Sequence, residues 1–252
     1  MTNLPSGDRS GSAASAAVEI ERAGEVLTFT LNNPERGNEV TGTMFDAMLG
    51  ELGAESVQPR ARVLRIRARG TVFCTGRERA AGDADGIRAE AARLVEFKRI
   101  LRTGPWISVA EVQGDAFGFG MGLAIVCDFA LVSERASLCF PEMRHGLAPA
   151  AIMAYLGEYA LPRHAFPLVL FGEPFAPARA LEIGLISQVC SPEALSSEVD
   201  ATVARILQLD VDAVRRCKEF FLTAQNHNFA QNCILALDAL TQGTLAALAR
   251  KK

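Results

Sequence analysis

Between Gly114 and Asp128 the chain reads Gly-Asp-Ala-Phe-Gly-Phe-Gly-Met-Gly-Leu-Ala-Ile-Val-Cys-Asp, four glycines in nine residues followed by an apolar run. The preceding Ile107-Ser108-Val109-Ala110-Glu111-Val112 has the composition of a strand, and Leu123 to Cys127 extends the glycine turn to helical length. Glycines at such a junction let backbone N–H groups approach a ligand closely, and the helix N-terminus adds partial positive charge. The stretch predicts a site for a negative oxygen. Phosphate fingerprints do not fit: Gly118 and Gly120 are followed by Gly122, out of step with G-x-G-x-x-G, and no G-x-x-x-x-G-K-[ST] occurs. The local pattern alone leaves open whether these glycines bind an oxygen or only let a helix pack tightly on a sheet.

A chain of 252 residues, 49% hydrophobic, can bury the core of one large α/β domain. A net charge of −3 with dispersed basic residues argues against a nucleic-acid partner. Arg62, Arg65, Arg67 and Arg69 recur along a strand-like segment and are expected on its polar face. The six cysteines form no C-x-x-C pair and no histidine stands at metal-finger spacing, so most of them are expected as small buried hydrophobes of a reducing, cytoplasmic protein without metal. Met1 to Ala17, rich in Ser, Gly and Ala, is expected to be a disordered tail and not a signal peptide, and no run is expected to span a membrane.

Val18 to Leu31 alternates as a hairpin with a turn at Ala23-Gly24, Thr43 to Leu52 has helical spacing, and Val63 to Arg67 is a strand. Ala80 to Gly86 predicts a mobile loop, Ile87 to Leu101 a helix, and Phe129–Val132 and Ser137–Phe140 two short strands. Beyond Pro177 the pattern is helical almost throughout.

Several segments, in order, resemble the crotonase superfamily, also called the enoyl-CoA hydratase/isomerase family. Leu31-Asn32-Asn33-Pro34 with Asn38 is similar to its N-x-P opening, and Phe73-Cys74-Thr75-Gly76-Arg77-Glu78 to its F-x-A-G-x-D loop. Gly114 to Asp128 resembles its G-x-x-x-G-G-G-x-E-L-A-x-x-C-D signature, and Phe140-Pro141-Glu142 through Pro149 its P-E-x-x-x-G-x-x-P segment. Phe171 to Phe175 and Ala180 to Ile186 are similar to two later segments. The resemblance implies an α/β fold, a spiral of ββα units over 18–190, with a helical region over 191–252 that covers the site and builds a homotrimer or a hexamer of paired trimers.

The resemblance also implies an acyl-CoA substrate, coenzyme A entering only as part of it, and an oxyanion hole of two backbone N–H groups at Thr75 and Phe119. Glu142 matches an acid/base glutamate, whereas Gly122 stands where many hydratases carry a second one, and Phe119 replaces a usual glycine. Gly76, Arg77, Gly118, Gly122 and His145 are expected around the substrate. Lys218, Lys251 and Lys252 are candidates for CoA phosphates, and Asp128 for a structural partner. The reaction implied is hydration of an enoyl-CoA in fatty acid metabolism. Isomerisation through Glu142 alone, or silent acyl-CoA binding, stays open beside it.

Overall fold

The structure, a computed structural model, describes residues 17–79 and 82–249. The hairpin forms as expected: β1 (Val18–Ala23) pairs antiparallel with β2 (Val26–Leu31). From β2 onward every pairing is parallel, through β3 (Val63–Ala68), β4 (Ile107–Val112), β6 (Phe129–Ser133) and β8 (Gln188–Cys190), giving the order β1-β2-β3-β4-β6-β8. Parallel neighbours need crossovers, supplied by α1 (Gly42–Val57) before β3 and α2 (Ala84–Thr103) before β4. Strand β8 corrects the expectation of helix throughout the last third. Its three residues are too few to show a period, and its edge is defined by β6.

A second, smaller layer recurs after the long strands. Val40 bridges Arg77, Cys74 bridges Ala116, β5 (Ala116–Phe117) pairs parallel with β7 (Leu138–Cys139), and Leu138 bridges Phe175. Long strand, short strand and helix thus repeat along the chain, the ββα spiral that the resemblance implies. Helix α3 (Phe119–Val126) is buried along its whole length, and α4 (Ala150–Leu156), α5 (Pro162–Phe171) and α6 (Pro177–Glu182) follow.

Helix α7 (Leu195–Leu207) covers the back of the sheet, packing Leu195, Val199, Val203 and Ile206 on Val63, Val109 and Leu131. Arg65 of β3 and Arg62 just before it hold it there. Arg65 pairs with Glu111 and with Asp200 at 2.8 Å, while Arg62 donates to the carbonyls of Ile206 and Leu207 at the helix C-terminus. Helix α8 (Val211–Ala224) is tied by Lys218, whose ammonium donates to the Trp106 carbonyl and to Asp128, both at 2.7 Å. Asp128 also accepts from the Ser108 N–H and hydroxyl. Lys218 is therefore corrected from a candidate phosphate ligand to a buried anchor, its donors already directed into the fold, and Asp128 is its structural partner. Lys251 and Lys252 lie outside the described residues.

Two further expectations change. Helix α2 begins at Ala84, three residues before the expected Ile87, because the Asp83 side chain accepts from the Gly86 N–H at 2.9 Å. The acidic part of the expected loop is thus a helix cap, and residues 80 and 81 lie outside the described residues. Helix α9 (Phe229–Ala249) packs on α8, buries no residue, and is long and apolar enough to cross a membrane, with a mean hydropathy of 1.3. The expectation of no such run missed it because Gln231, Asn232, Asp238 and Thr241 interrupt the apolar residues without lowering their average below that level. Of the expected tail, residues 1–16 lie outside the described residues, while the Ala17 carbonyl accepts from the Asn32 N–H.

Candidate active site

Strands β5 and β7 run parallel with Phe117 opposite Cys139, so the segments leaving their C-terminal ends emerge side by side. One is the glycine turn opening α3, and the other is a 3₁₀ turn, Pro141–His145, that carries Glu142. Gly118 has φ +51° and ψ −111°, a backbone that glycine alone adopts readily, and a Cβ there would stand 3.1 Å from Glu142 Oε1. The positive φ falls on Gly118, so Phe119 takes an ordinary helical conformation. Its ring is turned inward between Phe45 and Phe97, with centroids 6.2 and 6.1 Å away.

Gly120 lets α3 touch the preceding loop: a Cβ would come within 2.2 Å of the Cys74 carbonyl oxygen, which also accepts from the Phe117 N–H. This fixes the Phe73–Glu78 loop against the glycine turn. The buried Asn38 side chain holds the same loop by donating to the carbonyls of Arg69 and Val72.

The loop corrects the expectation for Thr75. Its N–H donates to the Gly37 carbonyl at 3.0 Å and its hydroxyl to the same oxygen at 3.2 Å, so it has no N–H to offer an oxyanion. Val40 then takes the Gly76 carbonyl and the Glu78 N–H, which leaves the Arg77 N–H on the other edge of the loop. Among the described residues neither the Arg77 nor the Phe119 N–H donates to another group. For Phe119 this is inherent in its place at the start of α3, whose first intrahelical bond is Gly122 N–H to Gly118 carbonyl. The Arg77 side chain pairs with Glu90 at a small cleft lined also by Val40, Phe45 and Leu94.

Burial is the largest influence on Glu142 and raises its carboxyl above the ordinary range, against the lowering charges of Arg79, His145 and Lys98. Oε2 is buried without a hydrogen-bond partner. A carboxyl raised in this way holds its proton more tightly than an ordinary glutamate and can take one from a neighbouring water and return it. His145 is exposed three residues along the same turn and acts on Glu142 through its charge.

At Gly122 a Cβ would meet Tyr155 Oη at 2.8 Å, Ile152 Cγ1 at 3.1 Å and Lys98 Nζ at 3.2 Å. Lys98 did not stand out in the sequence, although a signal exists. It falls in the stripe Leu94, Phe97, Leu101 of α2, where the spacing calls for an apolar side chain. Its amine lies 4.9 Å from the Phe119 ring centroid, without a hydrogen-bond partner.

Comparison with known proteins gives the family and the fold. A family model described as enoyl-CoA hydratase/isomerase matches residues 21–247. The trans-2-decenoyl-[acyl-carrier-protein] isomerase of Streptococcus mutans is 28% identical over 204 residues, 77% of each chain. The crystal structure of an enoyl-CoA hydratase from Mycobacterium smegmatis superposes with a TM-score of 0.86 at 23% identity, covering 94% of this chain and 97% of its own, a likeness of fold. A Thermobifida fusca YX protein crystallised in complex with CoA gives a TM-score of 0.82 at 28% identity, over 93% of this chain and 95% of that one.

Proposed function

The chain belongs to the enoyl-CoA hydratase/isomerase family, and from that premise we propose that it adds water to the double bond of an unsaturated acyl-CoA thioester. In this reading the Arg77 and Phe119 N–H groups hold the thioester oxygen, and Glu142 takes the proton of the attacking water. Charge grows on that oxygen as the enolate forms, and fixed backbone donors favour the enolate over the ground-state carbonyl. The single observation that carries the reading is the Glu142 carboxyl, seated over Gly118 at the start of α3 with its Oε2 buried and unpartnered. The CoA bound by the Thermobifida fusca relative supports a CoA thioester as the substrate.

A second reading is double-bond isomerisation, favoured by Gly122, which contributes no carboxylate, and by the similarity to the Streptococcus mutans isomerase. One carboxylate suffices there, since the same group removes a proton from one carbon and returns it to another. Product analysis on straight and branched 2-enoyl- and 3-enoyl-CoA thioesters separates the two. A 3-hydroxyacyl product lost in Glu142→Gln supports hydration, a shifted double bond supports isomerisation, and no turnover leaves silent acyl-CoA binding.

Assembly belongs to the same proposal. Ile234, Leu237 and Leu240 of α9 are each about two-thirds exposed, a face that a second copy of the chain would cover. A homotrimer or a pair of trimers is expected, and sedimentation showing a monomer at micromolar concentration overturns it.

A further inference from the structure

Two buried, unpartnered side-chain atoms, Glu142 Oε2 and Lys98 Nζ, belong to residues that flank the first turn of α3. Glu142 Oε1 stands 3.1 Å from the place a Cβ on Gly118 would take, and Lys98 Nζ 3.2 Å from the same place on Gly122. These two glycines are the i and i+4 residues of one hydrogen bond, 2.9 Å long, so the carboxyl and the amine stand beside the two ends of the same helical turn.

The amine is walled by the rings of Phe119 and Tyr155, 4.9 and 5.8 Å to their centroids, and by Ile152. The titratable groups facing it are Cys74 on the loop after β3, Cys127 at the end of α3, Tyr155 on α4 and Glu142. Burial pushes both thiols up to about 12 and raises the Tyr155 hydroxyl too, so those three are neutral at physiological pH. Glu142 alone can exchange charge with the amine. Burial brings Lys98 down to about 7 and raises Glu142, so the two groups approach each other in proton affinity. Packing alone gives no reason for a lysine here, since an apolar chain of similar length would fill the space without an unpartnered amine.

We propose that Lys98 is a second proton-transfer group of this site, working opposite Glu142 on the same substrate. The inference rests on the hydratase reading above. As the water oxygen bonds to the β-carbon, its proton passes to the Glu142 carboxylate and the π electron pair moves to the α-carbon through the enolate. The Lys98 ammonium then gives its proton to the α-carbon. Glu142 ends protonated and Lys98 neutral, and return of that proton to Lys98 through solvent restores both. One water is added, and the protein gains neither proton nor electron.

The test compares Lys98→Met and Lys98→Arg with the wild type on the best enoyl-CoA substrate. Both variants are expected to lose about a hundredfold or more in kcat with KM changed little, because arginine keeps the charge but cannot release its proton. The wild-type kcat is expected to fall as pH rises through about 7, and this limb to vanish in both variants. Full activity in Lys98→Arg overturns the proposal in favour of a fixed charge, as does a loss confined to KM. Turnover surviving in both variants overturns the role of Lys98 alone. No turnover by the wild type on any thioester overturns the hydratase reading and this role with it. If the variants do not fold, carbon-13 NMR of the lysine Cε in the wild type decides, the other lysines being Lys218, Lys251 and Lys252. A resonance titrating near 7 and shifted in Glu142→Gln supports the pair, and one titrating only near the ordinary lysine value overturns it.

Discussion

The Tyr155 hydroxyl donates to the Gly122 carbonyl at 2.9 Å and stands 2.8 Å from the place where a Cβ on Gly122 would be. One hydroxyl thus both satisfies the α3 backbone and crowds any side chain at residue 122. Gly122→Ala is expected to destabilise the protein by about 1–3 kcal/mol despite its better helix propensity, because Tyr155, Ile152 and Lys98 must all give way. Tyr155→Phe alone is expected to cost about 1 kcal/mol. The double variant should cost less than the sum, since phenylalanine removes the atom in the way. Chemical denaturation of the four proteins reads the coupling.

Glu142 should weaken the fold at neutral pH. Its carboxyl lies above the ordinary value through burial, so the folded state holds its proton more tightly than the unfolded chain does. The stabilising preference for the protonated form is complete below the unfolded value and is lost as pH rises through the folded one. Glu142→Gln is expected to melt higher than the wild type at pH 7 and to converge with it as pH falls toward 4, while losing most activity. Equal melting temperatures at both pH values would count against a buried carboxyl.

Thr75 and Arg77 make opposite predictions about one loop. Thr75→Ala removes a hydroxyl bonded to the Gly37 carbonyl and leaves the Arg77 N–H untouched, so kcat is expected to stay within about threefold. Replacing the amide N–H of Arg77 by an ester oxygen keeps its side chain, and is expected to lower kcat by about a hundredfold or more. If the ester is as active as the wild type, Arg77 is not an oxyanion donor.

The loop also shows what the sequence could and could not convey. The glycine turn was legible because glycine's backbone freedom is written in the residue itself, and Glu142 because its segment, Phe140 to Pro149, resembles the family's P-E-x-x-x-G-x-x-P pattern. The Thr75 assignment failed because the direction of an N–H within an irregular loop depends on the segment bridging it, here Gly37 to Val40 from far upstream. Lys98 was hidden for the opposite reason. A lysine on a helix is ordinarily solvated, and only α3 and α4 closing over it make it buried. Strand β8 owes its existence to β6 and carries too little pattern of its own.

Lys218 anchors α8 rather than a phosphate. Its ammonium, with the side chain 8% exposed, pairs with Asp128 at 2.7 Å. Lys218→Ala is expected to cost about 1–3 kcal/mol, since Asp128 loses its cation but is partly exposed and keeps its bonds from Ser108. KM for a CoA thioester is expected to match the wild type, and a selective rise in KM without loss of stability would return Lys218 to the phosphate role.

The buried amine of Lys98 gives the sharpest dependence of stability on pH. Its folded value, about 7, lies below the ordinary 10.5, so the unfolded chain binds this proton more readily than the folded one. The lysine therefore carries no penalty above 10.5, an increasing one as pH falls toward 7, and the whole of it below 7. Replacing Lys98 by methionine removes the amine and fills the same stripe of α2 beside Phe97 and Leu101, which are fully buried. At pH 6 the variant is expected to be more stable than the wild type by a few kcal/mol, on the order that such a shift implies, and the gain should shrink as pH rises toward 10. A protein that gains stability and loses turnover in one substitution keeps the amine for its chemistry rather than for its fold. Denaturant titrations of both proteins at pH 6, 8 and 10 test the gain, and a difference that does not vary with pH would show that the amine does not titrate in this range.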